Sequence, residues 1–62
     1  MDDYAWHEAS DRTHLIQDIF YEHVTTHPVV EQDSELRAQA QVAETALMDM
    51  YQMIARKIHH EQ

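Results

Sequence analysis

Apolar residues fall at Leu36, Ala40, Ala43, Leu47, Met50 and Ile54, a four-three alternation through a stretch without glycine, proline or a turn cluster. This spacing predicts a helix whose seam packs against other helices. The helix should run over about residues 34–59. Asp33 or Ser34 would cap its free amides, Glu35 would sit in its first turn, and Arg56 and Lys57 would suit its negative end. Upstream, Trp6, Ala9, Thr13, Ile16, Ile19, Phe20 and Val24, flanked by Ala5 and Leu15, repeat at helical spacing without strict alternation. They predict a first helix over about residues 3–26, begun by Asp2 or Asp3 with Glu8 near its positive end. The β-branched pair Thr25 and Thr26 weakens its last turn, and His27, preceding Pro28, is pushed out of helical geometry.

The connection over about residues 27–33 is short, and two helices joined by so few residues lie antiparallel. Val29 and Val30 within it are apolar for a solvated loop, so one or both should cover the end of the hairpin. The second helix carries more apolar surface than one antiparallel neighbour can hide. Beside its seam lie Val42, Ala46 and Met53 on one side and Met48, Tyr51, Ala55 and Ile58 on the other. An arc near half the cylinder calls for a further partner. The predicted architecture is therefore all-α: one domain over residues 1–62, an antiparallel two-helix hairpin that assembles as a homodimeric four-helix bundle or a higher oligomer.

Composition strengthens that expectation. A chain of 62 residues buries only about 60% of its unfolded surface, so folding alone is marginal. With no cysteine, disulfide and thiolate-metal staples are excluded, and self-association is the staple that remains. No apolar run approaches the roughly 18 residues needed to span a bilayer, and the start Met-Asp-Asp-Tyr lacks a basic signal-peptide region. A cytoplasmic protein is expected. Net charge is −8, from twelve carboxylates against Arg12, Arg37, Arg56 and Lys57, which disfavours tracking DNA or RNA phosphates. The carboxylates are spread along the chain, as a solubilising surface or one that docks on a basic protein would have them.

Histidine is abundant, six in 62, and invites a search for metal chemistry. His23 and His27 are four apart, and His14, Asp18 and Glu22 form a ladder of four-residue steps, both metal-ligand spacings. Yet Val24 stands where a zinc-protease motif requires glutamate, and the Glu-x-x-His of di-iron bundles is missing. No metal and no cofactor are assigned. Ser10 and Ser34 are the serines, the second explained as a cap, and a glycine-rich phosphate loop is impossible without glycine. A non-enzymatic role follows. Among the cations, Arg12 falls on the line Ala5, Ala9, Ile16, Ile19 and should border or enter the packed face. An antiparallel hairpin would bring Tyr4, Trp6, Arg12, Tyr51, Arg56 and Lys57 near its open end. There they could stack on a base and clamp a phosphate, or else fill an interface and pair with Asp2, Asp3, Glu8 or Asp49.

Three families of small helical hairpin share parts of this pattern. Arg12 with Leu15 and Ile19, Pro28 in the connection, Ser34, Glu44, Ala46 and Ile54-Ala55-Arg56 resemble the hairpin of phage anti-CBASS and anti-Thoeris sponge proteins. That resemblance implies a cyclic oligonucleotide held between protomers by arginines and aromatics. Glu44-Thr45-Ala46-Leu47 and Ile54-Ala55-Arg56-Lys57 are similar to the second helix of a small phage anti-quorum-sensing protein, which implies a dimer that blocks host proteins. Met50-Tyr51 and Ala55-Arg56 resemble the Rop hairpin, whose RNA face on helix one is matched here by Arg12 alone. The acidic surface and the methionines favour the second implication: a phage or mobile-element protein that inhibits a host protein by direct contact. Ligand sequestration is the alternative, through Tyr4, Arg12, Tyr51, Arg56 and Lys57.

Overall fold

Asp2 opens the fold by accepting a hydrogen bond from the Ala5 N–H at 2.9 Å, which satisfies one of the free amides at a helix start. In the computed structural model, which describes residues 2–60, this cap leads into α1 (Asp3–Phe20). Helical winding then continues as one π-helical segment over Tyr21–Thr25. The Thr26 N–H reaches back five residues to the Tyr21 carbonyl at 3.2 Å, and the Thr26 hydroxyl donates to the Glu22 carbonyl at 2.7 Å. The first helical stretch thus ends at Thr25, one residue before the expected boundary.

The connection differs from the expected loop. Residues Pro28–Gln32 form a short helix, α2, entered from His27 in an extended conformation. His27 Nδ1 accepts from the Val29 N–H at 3.1 Å, and Pro28 occupies the first turn, where its missing N–H leaves nothing unsatisfied. The proline that ends the first helix therefore also begins the next one. Val30 is half-buried while Val29 is exposed, so one of the two valines covers the hairpin end. The extended Asp33 separates α2 from α3 (Ser34–His60). Its Oδ1 accepts from the Glu35 N–H at 2.9 Å and the Leu36 N–H at 3.0 Å, which selects Asp33 over Ser34 as the cap.

The two long helices pack side by side in a rod of 45 × 15 × 12 Å. Toward α3, α1 turns Trp6, Ser10, Thr13, Gln17 and Phe20, which are buried or half-buried. Toward α1, α3 turns Ala40, Ala43, Leu47, Tyr51, Ile54 and Ile58. Only Ala40 and Thr13 are buried among the described residues, so the seam is thin. Tyr51 takes the inward place expected of Met50, which is 52% exposed. Ile16 and Ile19, expected in the packed face of the first helix, are exposed at 50% and 43%, while the expected Thr13 is buried and polar Ser10 and Gln17 join it in that face.

The π-helical turn explains a further shift. On a continuous α-helix Val24 would face α3, since each residue turns by about 100°. The wider i→i+5 winding turns each residue less, and Thr25 faces inward while Val24 is exposed. The Thr25 hydroxyl donates to Glu44 Oε2 at 3.0 Å, a charge-assisted bond between the hairpin's two arms.

Replacing Asp33 by Ala removes an acceptor shared by two amides and should cost about 1 kcal/mol, whereas Ser34→Ala should stay within about 0.5 kcal/mol. Urea unfolding at one fixed protein concentration reads both. Thr25→Val should lose roughly 1 kcal/mol in the same assay, and the loss should vanish when Glu44 is already Ala.

Candidate functional site

The hairpin has two unlike sides, a consequence of helical repeat and antiparallel direction. At about 100° per residue, Ala9, Arg12, Ile16 and Ile19 lie on one flank of α1, with Arg12 the one cation among them, and Ala43, Ala46, Met50 and Met53 lie on one flank of α3. Because the helices run in opposite directions, both flanks open on the same side of the rod, and Leu36 extends the stripe toward the loop. Ile16, Ile19, Leu36, Met50 and Met53 are each between 42% and 52% exposed. This apolar side is the candidate functional site. Scattered exposed hydrophobes are ordinary on a monomer, whereas here two helices contribute to one stripe.

The polar contacts between the two arms gather on the other side, while Arg12 pairs with Glu8 on the flank of Ile16. His14 and Tyr51 meet with ring centroids 5.6 Å apart and planes at 50°, and His14 Nδ1 lies 3.6 Å from Asp18 Oδ2, an ion pair when the imidazole is protonated. Nearer the loop, a shallow groove of about 560 Å³ is lined by Thr25, Glu31, Ser34, Arg37, Gln41 and Glu44. Its guanidinium is engaged, since Arg37 Nη1 donates to the Glu31 carbonyl at 3.2 Å, and Glu44 accepts from Thr25. Two carboxylates and a committed arginine make a poor seat for phosphate.

The residues expected to hold a nucleotide or a partner do not converge. Arg12 lies outside the packed face with a side chain 73% exposed, and its Nη2 pairs with Glu8 Oε2 at 3.2 Å, one helical turn away. Tyr51 is turned toward α1 and meets His14, while Tyr4, Arg56 and Lys57 are exposed. No hydrogen bond or ion pair joins any two of Tyr4, Arg12, Tyr51, Arg56 and Lys57 among the described residues. The residues expected at an oligomer interface divide. Val42, Ala46 and Met53 lie on the apolar side of α3, Met48 is exposed on the opposite flank, and Tyr51, Ala55 and Ile58 are half-buried toward α1.

Among the described residues, no group of three or more histidine, aspartate or glutamate side chains is placed to hold a metal ion. His23 and His27 belong to different elements, the π-helical turn and the cap of α2. No described helix is long and apolar enough to cross a membrane. No family model, curated protein or solved structure matches the chain.

One residue that sequence reasoning passed over belongs to the seam. Gln17 turns toward α3, and its Oε1 is shut off from solvent with no hydrogen-bond partner. Such an orphan costs more than the bond it could make. Gln17→Leu should therefore raise stability by about 1 kcal/mol. Unchanged or lower urea stability would show that Gln17 makes a bond in solution that the isolated hairpin lacks.

Proposed function

We propose that this chain is a non-enzymatic binding protein that works as a self-associated helical bundle, homodimeric at least, and inhibits a host protein by direct contact through its acidic outer surface. The observation that carries the reading is the apolar side, where Ile16, Ile19, Leu36, Met50 and Met53 are exposed while, among the described residues, the seam buries only Ala40 and Thr13. The total surface supports self-association. A folded monomer of 7.4 kDa exposes about 4,200 Å² on the general scaling of surface with mass. This hairpin exposes 5028 Å². The excess is roughly 800 Å², the area each partner contributes to an interface of standard size.

Once the apolar sides cover one another, the surface left outward carries most of the charge of −8. A strongly acidic rod repels polyanions and is drawn to basic protein surfaces, which favours protein capture over sequestration of a phosphate ligand. The scattering of Arg12, Tyr51 and Arg56 points the same way.

Sedimentation equilibrium provides the test. The protein should run as a dimer or larger species at tens of micromolar, and Ile16→Glu, which sets a charge in the contact, should return it to a single chain of 7.4 kDa. His7→Glu, on the polar side, should leave the assembly intact. A wild-type monomer throughout that range overturns the self-association. Host protein retained by the immobilised assembly should elute as added salt shortens the Debye length below about 10 Å, and retention through about 1 M salt overturns electrostatic docking.

A further inference from the structure

We infer that the second copy of this chain packs on the apolar side with its loop at the opposite end, so that α3 crosses the partner's α3 and α1 crosses the partner's α1, each antiparallel. This inference rests on the self-association proposed above and adds its geometry. Along the flank that opens on the apolar side α3 is divided by size: Ala43, half-buried at the edge of the seam, and exposed Ala46 stand in the half near the loop, exposed Met50 and Met53 in the half away from it. An antiparallel crossing centred at position 48 sets Ala46 against the partner's Met50 and Ala43 against the partner's Met53. Each flexible methionine then fills the hollow over an alanine, and the exchange occurs twice across the dyad.

The first helix places the same dyad independently. The contact of His14 with Tyr51 fixes the register within the hairpin, so that position 48 of α3 is level with position 17 of α1. A dyad at that height sets Ile16 against the partner's Ile19, with the midpoint of the pair between positions 17 and 18. One two-fold axis thus serves both apolar stripes, as an isologous interface requires. The competing face-to-face arrangement, with both loops at one end, sets α1 on the partner's α3. There Ile16 meets the partner's Met50, large against large.

Distances between spin labels separate the two arrangements, and the absence of cysteine makes single-site labelling clean. In the inferred dimer, residue 59 lies eleven positions from the dyad and residue 45 three. At 1.5 Å per residue, the axial separations between copies are then roughly 33 Å and 9 Å. Labelled His59→Cys should therefore give a distance much longer than labelled Thr45→Cys. Similar distances at both sites overturn the orientation while leaving self-association in place. No dipolar coupling between chains at either site overturns the self-association itself.

A compensation experiment reads the same contact without labels. Ala43 and Met53 are ten residues and about 15 Å apart in one helix, so they can couple only through the partner. Ala43→Met and Met53→Ala should each weaken the dimer about tenfold, and the double variant should recover most of that loss. Losses that simply multiply in the double variant overturn the predicted pairing.

Discussion

Everything in this hairpin follows from how thin its interhelical seam is. The inner faces carry Ser10, Thr13 and Gln17 on α1 and Ala40 and Ala43 on α3, so much of the seam is small or polar and buries little hydrocarbon. Burial stabilises at about 25 cal/mol per Å², yet the large hydrophobes of the seam are only half-buried and several others are turned elsewhere. Ile16, Ile19, Met50 and Met53 stay exposed because two round cylinders in contact can hide only the narrow strips that face each other. The seam positions the arms. The rest of the apolar surface is held ready beside it.

That division of labour gives the local polar contacts their importance. Caps at Asp2, His27 and Asp33 satisfy amides that no tertiary contact covers, and each places one helix start with respect to the chain before it. The Thr25 bond to Glu44 ties the arms near the loop, and the His14 ring against Tyr51 ties them farther along. In a large core such contacts would be minor. Here they set the register in which the two apolar stripes lie side by side, and a one-residue slip would part Ile16 and Ile19 from the level of Ala46 and Met50.

The sequence was legible where one pattern had one explanation. Ala40, Ala43, Leu47 and Ile54 were read as seam and are seam, because four positions at heptad spacing on an uninterrupted helix leave little choice of face. Strict alternation from Leu47 selected Met50, but a step of four to Tyr51 and three to Ile54 reaches the same face, and the structure takes it. The aromatic ring turns inward against an imidazole, and the thioether is left for another surface. In the first helix hydrophobicity pointed to Ile16 and Ile19, while the hairpin contact uses the polar flank beside them. Periodicity finds the face that needs covering, and it does not say which neighbour covers it. The helical connection was missed because Pro28 was read only as a terminator, although a proline after an extended residue also suits the first turn of a helix.

The π-helical turn shows why such small departures matter in a chain this short. Winding Tyr21–Thr25 with i→i+5 bonds removes rotation that five α-helical residues would have accumulated, and Thr25 replaces Val24 on the inner face. An apolar residue is thereby moved out of a seam already poor in hydrocarbon, and a hydroxyl is moved in. The exchange is tolerable only because Glu44 stands opposite to accept the hydroxyl's hydrogen bond. A π-turn is less favourable locally than the α-helix it interrupts, so its presence beside the loop means that the arms are positioned by hydrogen bonding at that end and by ring and aliphatic contact at the other. Hydrogen bonds fix distance and angle more sharply than apolar packing does. The loop end therefore acts as the rigid reference from which the registers of both exposed stripes are measured.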